Sequence, residues 1–162
     1  MPSSGSLAVA GALLLLSFSA VAQPEQKVYV LDAIDGDSLQ VQRDGGALAR
    51  AHLIGIEAPG TREEKRHPSK LHLGSVAFGR WGTAQCDPVP PLPTDVKKKK
   101  LLPKPLLCRV RIDGKDVGLA QLEAGQASYS TRFAGSLSEA DRGTYKAAER
   151  SAKETKKGMW AD

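Results

Sequence analysis

Three short β-prone runs follow one another with only tight turns between them, which restricts this part of the chain to a meander of antiparallel strands. The runs are VYVLDAI (Val28 to Ile34), SLQVQ (Ser38 to Gln42) and ALARAHLIGIEAP, ending at Pro59. Asp35-Gly36-Asp37 separates the first two and RDGG the last two. A polar loop, GTREEKRHPSK, comes next, and a weak helix is expected through LGSVAFGRW. The stretch CDPVPPLPTDVKKKKLLPKP carries six prolines and four consecutive lysines. It can hold neither a helix nor a central strand and reads as a long surface loop.

Beyond it, LLCRVRI predicts a strand closed by the turn DGK. Asp116 is placed to cap a helix through VGLAQLEA that Gly125 ends. Ser138 to Asp141 supplies an S-x-x-D start for a last helix, whose body is YKAAERSAKETKK and whose stop is Gly158. If the apolar residues near Cys86 add a strand, the order is that of a mainly β (α+β) domain: a five-stranded Greek-key barrel with about three packed helices. A chain of 162 residues, 41% of them hydrophobic, has room for one such core and one domain.

Residues 1–22 contain no Asp, Glu, Lys or Arg and end in Ala20-Val21-Ala22. They read as a signal peptide cleaved before Gln23, leaving a domain of residues 23–162 in a secreted or periplasmic setting, monomeric and without stable membrane association. The alternative is a retained anchor, against which the apolar run falls short of the roughly 20 residues a spanning helix needs. Export puts Cys86 and Cys108 in an oxidising compartment, where a pair is usually joined, although two buried free thiols stay open. A disulfide there would close the proline-rich loop and contribute about 3 kcal/mol.

The segments DAIDGDSL, LIGIEAP, DGKDVGLAQLEAGQASY and EADRGTYKAAERSAKETKKGMW occur in that order between Val28 and Trp160. In this the chain resembles the staphylococcal nuclease (thermonuclease) family, calcium-dependent phosphodiesterases built on an OB-fold barrel. The resemblance implies that Asp37 and Glu57 occupy the positions of metal-ligating acids, with Asp35 beside them as a third candidate. Hard cations such as Ca²⁺ take several oxygens, and on a scissile phosphate the cation polarises the reacting centre.

Elsewhere the family's chemistry is missing. The glutamate that handles the attacking water falls on Gly60, a ligand threonine on Ala58, and the two phosphate-clamping arginines on His52 and Pro105. A lost general base typically costs roughly 10²- to 10⁴-fold, and each lost donor to the developing charge about 10²- to 10³-fold. Arg50, two residues from His52 and so on the same strand face, and Glu63 or Glu64 are the candidates for rescue. His52 itself, protonated in acid, could stand in for a cation.

Lys and Arg outnumber Asp and Glu by 23 to 18. Arg62, Lys65, Arg66, His67 and Lys70 form one basic group, and Lys97, Lys98, Lys99 and Lys100 form another. Such groups either follow a nucleic-acid backbone without reading sequence or simply keep loops solvated. Eight aromatic residues leave few stacking platforms. No Ser-His-Asp, P-loop or C-x-x-C pattern is present, and His67 and His72 lack useful metal spacing with each other.

The expectation is a degenerate member with a weak Ca²⁺ site at most, which binds single-stranded DNA or RNA, or another polyanion, without cutting it. The alternative is an active calcium-dependent nuclease. Whether the chain is an enzyme stays open at this level.

Overall fold

The computed structural model describes residues 24–60, 67–88 and 105–161. The meander is there: β1 (Gln26–Ala33), β2 (Ser38–Arg43) and β3 (Leu48–Leu53) pair antiparallel in succession. β5 (Trp81–Pro88) pairs antiparallel with the other edge of β1 and with β6 (Leu106–Ile112), and β6 closes the ring by lying parallel to β3. The result is a closed five-stranded barrel, consistent with an OB fold. The two-residue strand β7 (Lys115–Asp116) pairs with β6 outside the ring.

Alternation along the strands fills the barrel. Val28 and Val30, Leu39 and Val41, Ala49, Ala51 and Leu53, Ala84, and Cys108, Val110 and Ile112 all point inward and are buried. Cys86 and Cys108 are direct cross-strand partners on β5 and β6 and are joined by a disulfide. The bond therefore sits at the neck of the proline-rich loop, whose residues 89–104 lie outside those described.

Three local expectations change. The long third strand breaks at Gly55, whose φ of +75° is costly for other residues. Beyond the break β4 (Ile56–Glu57) pairs with β8 (Ser128–Tyr129) instead of continuing along the barrel. The first helix, α1, spans Pro68–Ala77, earlier than LGSVAFGRW. Proline is at home in a first turn, and the His67 ring accepts a hydrogen bond from the Ser69 N–H at 3.3 Å, so the helix starts inside the run read as polar loop. Trp81 consequently opens β5. That strand also takes in Cys86, Asp87 and Pro88 from the stretch read as wholly loop, with Pro88 at its end, where a missing N–H is tolerated.

The two later helices start at the expected caps. α2 (Val117–Glu123) begins where Asp116 accepts from the Leu119 N–H, and α3 (Glu139–Glu154) where Ser138 accepts from the Asp141 N–H. Among the described residues no helix is long and apolar enough to cross a membrane.

Candidate functional site

The Asp35-Gly36-Asp37 turn is both a tight connection and a device for aiming carboxylates. The Asp35 carboxylate accepts from the Asp37 N–H at 3.2 Å, while the Ile34 N–H donates to the Ser38 carbonyl at 2.8 Å. Gly36 lies against the Ser69 hydroxyl and the Ala58 methyl, so that a Cβ at this position would overlap both. Its carbonyl accepts from the buried Gln121 amide at 2.7 Å, and the same amide donates to the Ser69 carbonyl at 3.0 Å. α1 and α2 thus pin the turn from behind.

Pairing of Ser38 with His52 and of Gln40 with Arg50 brings β3 against the turn. His52 and Arg50, two residues apart, share its outer face, as the sequence implied. Asp37 Oδ1 accepts from the Ser38 hydroxyl at 2.9 Å and lies 3.2 Å from His52 Nδ1, and Oδ2 accepts from the Ala58 N–H at 2.9 Å. Arg50 reaches Asp35 Oδ2 and the Ser38 hydroxyl, each at 3.3 Å. The Phe133 ring packs against His52 with centroids 4.3 Å apart. Among the described residues, Arg50 Nε and His52 Nε2 are buried without a hydrogen-bond partner.

The two carboxyls diverge electrostatically. Burial, reinforced by the neighbouring Asp37 charge, pushes Asp35 up to about 6. Burial opposes ionisation of Asp37 too, but the hydrogen bond and charge of His52, with the Ala58 N–H, hold it below the ordinary carboxylate value.

Glu57 sits apart. It is exposed on β4, with Oε2 3.5 Å from the Ser130 hydroxyl. Gly60 is exposed, Pro105 half-buried at the start of β6, and Lys70 half-buried on α1. Arg62, Glu63, Glu64, Lys65, Arg66 and Lys97 to Lys100 lie outside the described residues, as does the N-terminal segment 1–22. Among the described residues no group of three or more His, Cys, Asp or Glu side chains gathers as a metal cage. The oxygens in place do not fit calcium as they stand. Those of Asp37 are engaged by His52, Ser38 and the Ala58 N–H, Asp35 is engaged by Arg50, and a cation seeking six or more oxygens would have to displace these partners.

Sequence reasoning missed Ser38 and Phe133, whose roles depend on strand register and on a distant segment. It also missed a second polar cluster. Arg109 on β6 contacts Asp116 at 3.2 Å and Asp141 at 2.8 Å, the Tyr145 hydroxyl donates to Asp116 at 2.8 Å, and the Ser138 hydroxyl donates to Asp141 at 2.6 Å. Arg109, Asp116, Asp141 and Tyr145 border a cavity of about 530 Å³ that Arg111 and Lys115 also line. Alternation along LLCRVRI was the signal that Arg109 faces outward; its partners were not visible.

No family model matches the chain, and no curated protein matches it.

Proposed function

We propose that the chain is a thermonuclease-like barrel that binds single-stranded nucleic acid or another polyanion and cuts it little or not at all. One observation carries this reading. Asp37, at the position of a family ligand, is engaged by His52 and the Ala58 N–H, and Asp35 by Arg50, so that protein groups occupy the acids where the family uses a metal. The formal charge of +5 is consistent with a polyanionic partner. Cation binding at Asp37 and Glu57 is weak in this reading, because it competes with His52 and with the Ala58 N–H. The rival reading, an active calcium-dependent nuclease, draws on Arg50, a guanidinium held at the turn although His52 replaces the family's arginine.

Calcium titration with a nuclease assay on single-stranded DNA separates the two. The expected result is salt-sensitive binding with little cleavage. The triple change His52→Arg, Gly60→Glu and Pro105→Arg should then raise calcium-dependent cleavage by orders of magnitude, and Asp37→Ala in that background should abolish the gain. Robust digestion by the unmodified protein, lost in Asp37→Ala, would establish the rival reading instead.

A further inference from the structure

Among the described residues, two large apolar side chains stand exposed on the barrel strands, Leu48 on β3 and Trp81 on β5, and the second is aromatic. Trp81, the first residue of β5, is 56% exposed, although burying an indole is among the larger single gains available to a fold. Its cross-strand partner on β1 is Tyr29, and the two rings lie with centroids 5.1 Å apart, tilted by 55°. Both face outward because Val28 and Val30 on β1 and Ala84 on β5 point into the core. Lys27 Nζ stands 4.5 Å from the centre of the Trp81 ring.

The charges around this pair are unevenly matched. Arg80 is paired with Asp113 and Arg111 with Glu25. Among the described residues Lys27 has no carboxylate partner, only the indole face. A second copy of the chain docked face to face would bring one uncompensated Lys27 onto another. An anionic polymer with flat, polarisable side groups suits the surface on both counts: the rings offer area for stacking and the ammonium meets a phosphate.

We infer that Tyr29, Trp81 and Lys27 form a base-stacking platform for single-stranded nucleic acid on the wall made by β1 and β5. The inference rests on the polyanion-binding reading and assigns it a surface and a ligand chemistry. Tyr29 lies six residues before Asp35, about 20 Å at the rise of an extended strand, so the platform is separate from the acidic turn. A strand of a few nucleotides could touch both. Stacking is indifferent to sequence but requires bases, which distinguishes this platform from a purely electrostatic patch.

The test compares a short oligothymidylate with an abasic oligomer carrying the same number of phosphates, by fluorescence anisotropy at low salt. The wild-type protein should bind the base-bearing strand about tenfold more tightly. Trp81→Ala should abolish that preference while leaving affinity for the abasic strand unchanged, and Trp81→Phe should keep most of it. Equal binding of both strands by the wild type would overturn the platform and leave the polyanion reading standing. Binding to neither would fell both. A preference that survives in Trp81→Ala places stacking elsewhere and overturns the assignment, as would reversible self-association that Trp81→Ala abolishes, since a second copy would then own the face. The wild-type comparison needs no variant, so a folding defect in Trp81→Ala would not shield the claim.

Discussion

The turn cluster around Asp37 and the cluster around Arg109 use the same ingredients: two carboxylates, a guanidinium, a serine hydroxyl and an aromatic neighbour. They reach different ends. At Arg109 the acids come from two elements, Asp116 at the start of α2 and Asp141 in the first turn of α3, and one guanidinium spans both. Burial opposes ionisation of Asp141, but hydrogen bonds from Ser138 and Arg109, with the Arg109 charge, together outweigh it and hold its carboxyl below the ordinary value. At the turn the acids are two residues apart on one loop, and after burial the Asp37 charge helps keep Asp35 high. Arg50, His52 and Arg109 each keep a buried nitrogen without a hydrogen-bond partner among the described residues, so unmet hydrogen-bonding capacity does not separate the two clusters. The first arrangement ties helices to a barrel. The second crowds two acids on one loop and drives their pKa values apart, a pattern more typical of a functional site than of a staple.

The largest effect that would break this comparison lies at Arg109. Arg109→Ala leaves Asp116 and Asp141 without their common cation, and a loss of about 3 kcal/mol is expected in urea unfolding. Arg50→Ala should cost less, about 1 to 2 kcal/mol, because Asp35 gives up its charge more readily and Arg50 is more exposed than Arg109. Equal losses at the two positions would remove the distinction between staple and site.

Much of the fold could be read from residues whose local chemistry leaves little choice. The Asp-Gly-Asp and RDGG turns, the caps at Asp116 and Ser138, and the alternation in LLCRVRI each act over a few neighbours and survived folding, whereas the alternation in VYVLDAI holds only to Val30, where a bulge before Asp32 turns Ala33 inward. β5 was harder to read because its inward positions are small. Gly82 passes so close to the Arg111 backbone that no side chain fits, and Ala84 follows it inward, so the apolar alternation that marks a strand is faint. α1 was displaced because its cap, His67, and its first residue, Pro68, sit in a run that composition marks as loop. At the site the acids were visible but their partners were not. That Ser38 faces His52 follows from register, and that Phe133 covers the His52 ring follows from a segment some eighty residues away, neither of which a linear pattern encodes.

The smallest effect is a change of slope with pH, bounded for a single group at about 1.4 kcal/mol per pH unit. The two carboxyls of the turn start from the same ordinary value of 3.8 and move in opposite directions on folding. Asp37 is lowered, so between its folded value and 3.8 the unfolded chain binds more protons; its contribution is complete above that window and is lost as pH falls through it. Asp35 is raised to about 6, so between 3.8 and 6 the folded chain binds the extra proton and stability falls as pH rises. Hydrogen bonds from Ser38 and the Asp37 N–H pull against this shift without cancelling it. Together the pair favours a maximum of stability near pH 4, superimposed on whatever the rest of the chain contributes. Asp35→Asn should flatten the decline between pH 4 and 6 and leave the acid limb alone, and Asp37→Asn should do the reverse. Thermal unfolding midpoints of the two variants and the wild type, measured at intervals from pH 3 to 7, read both limbs. Identical changes in the two variants would mean that the carboxyls titrate as a single unit, and the division of labour assigned to the turn would be wrong.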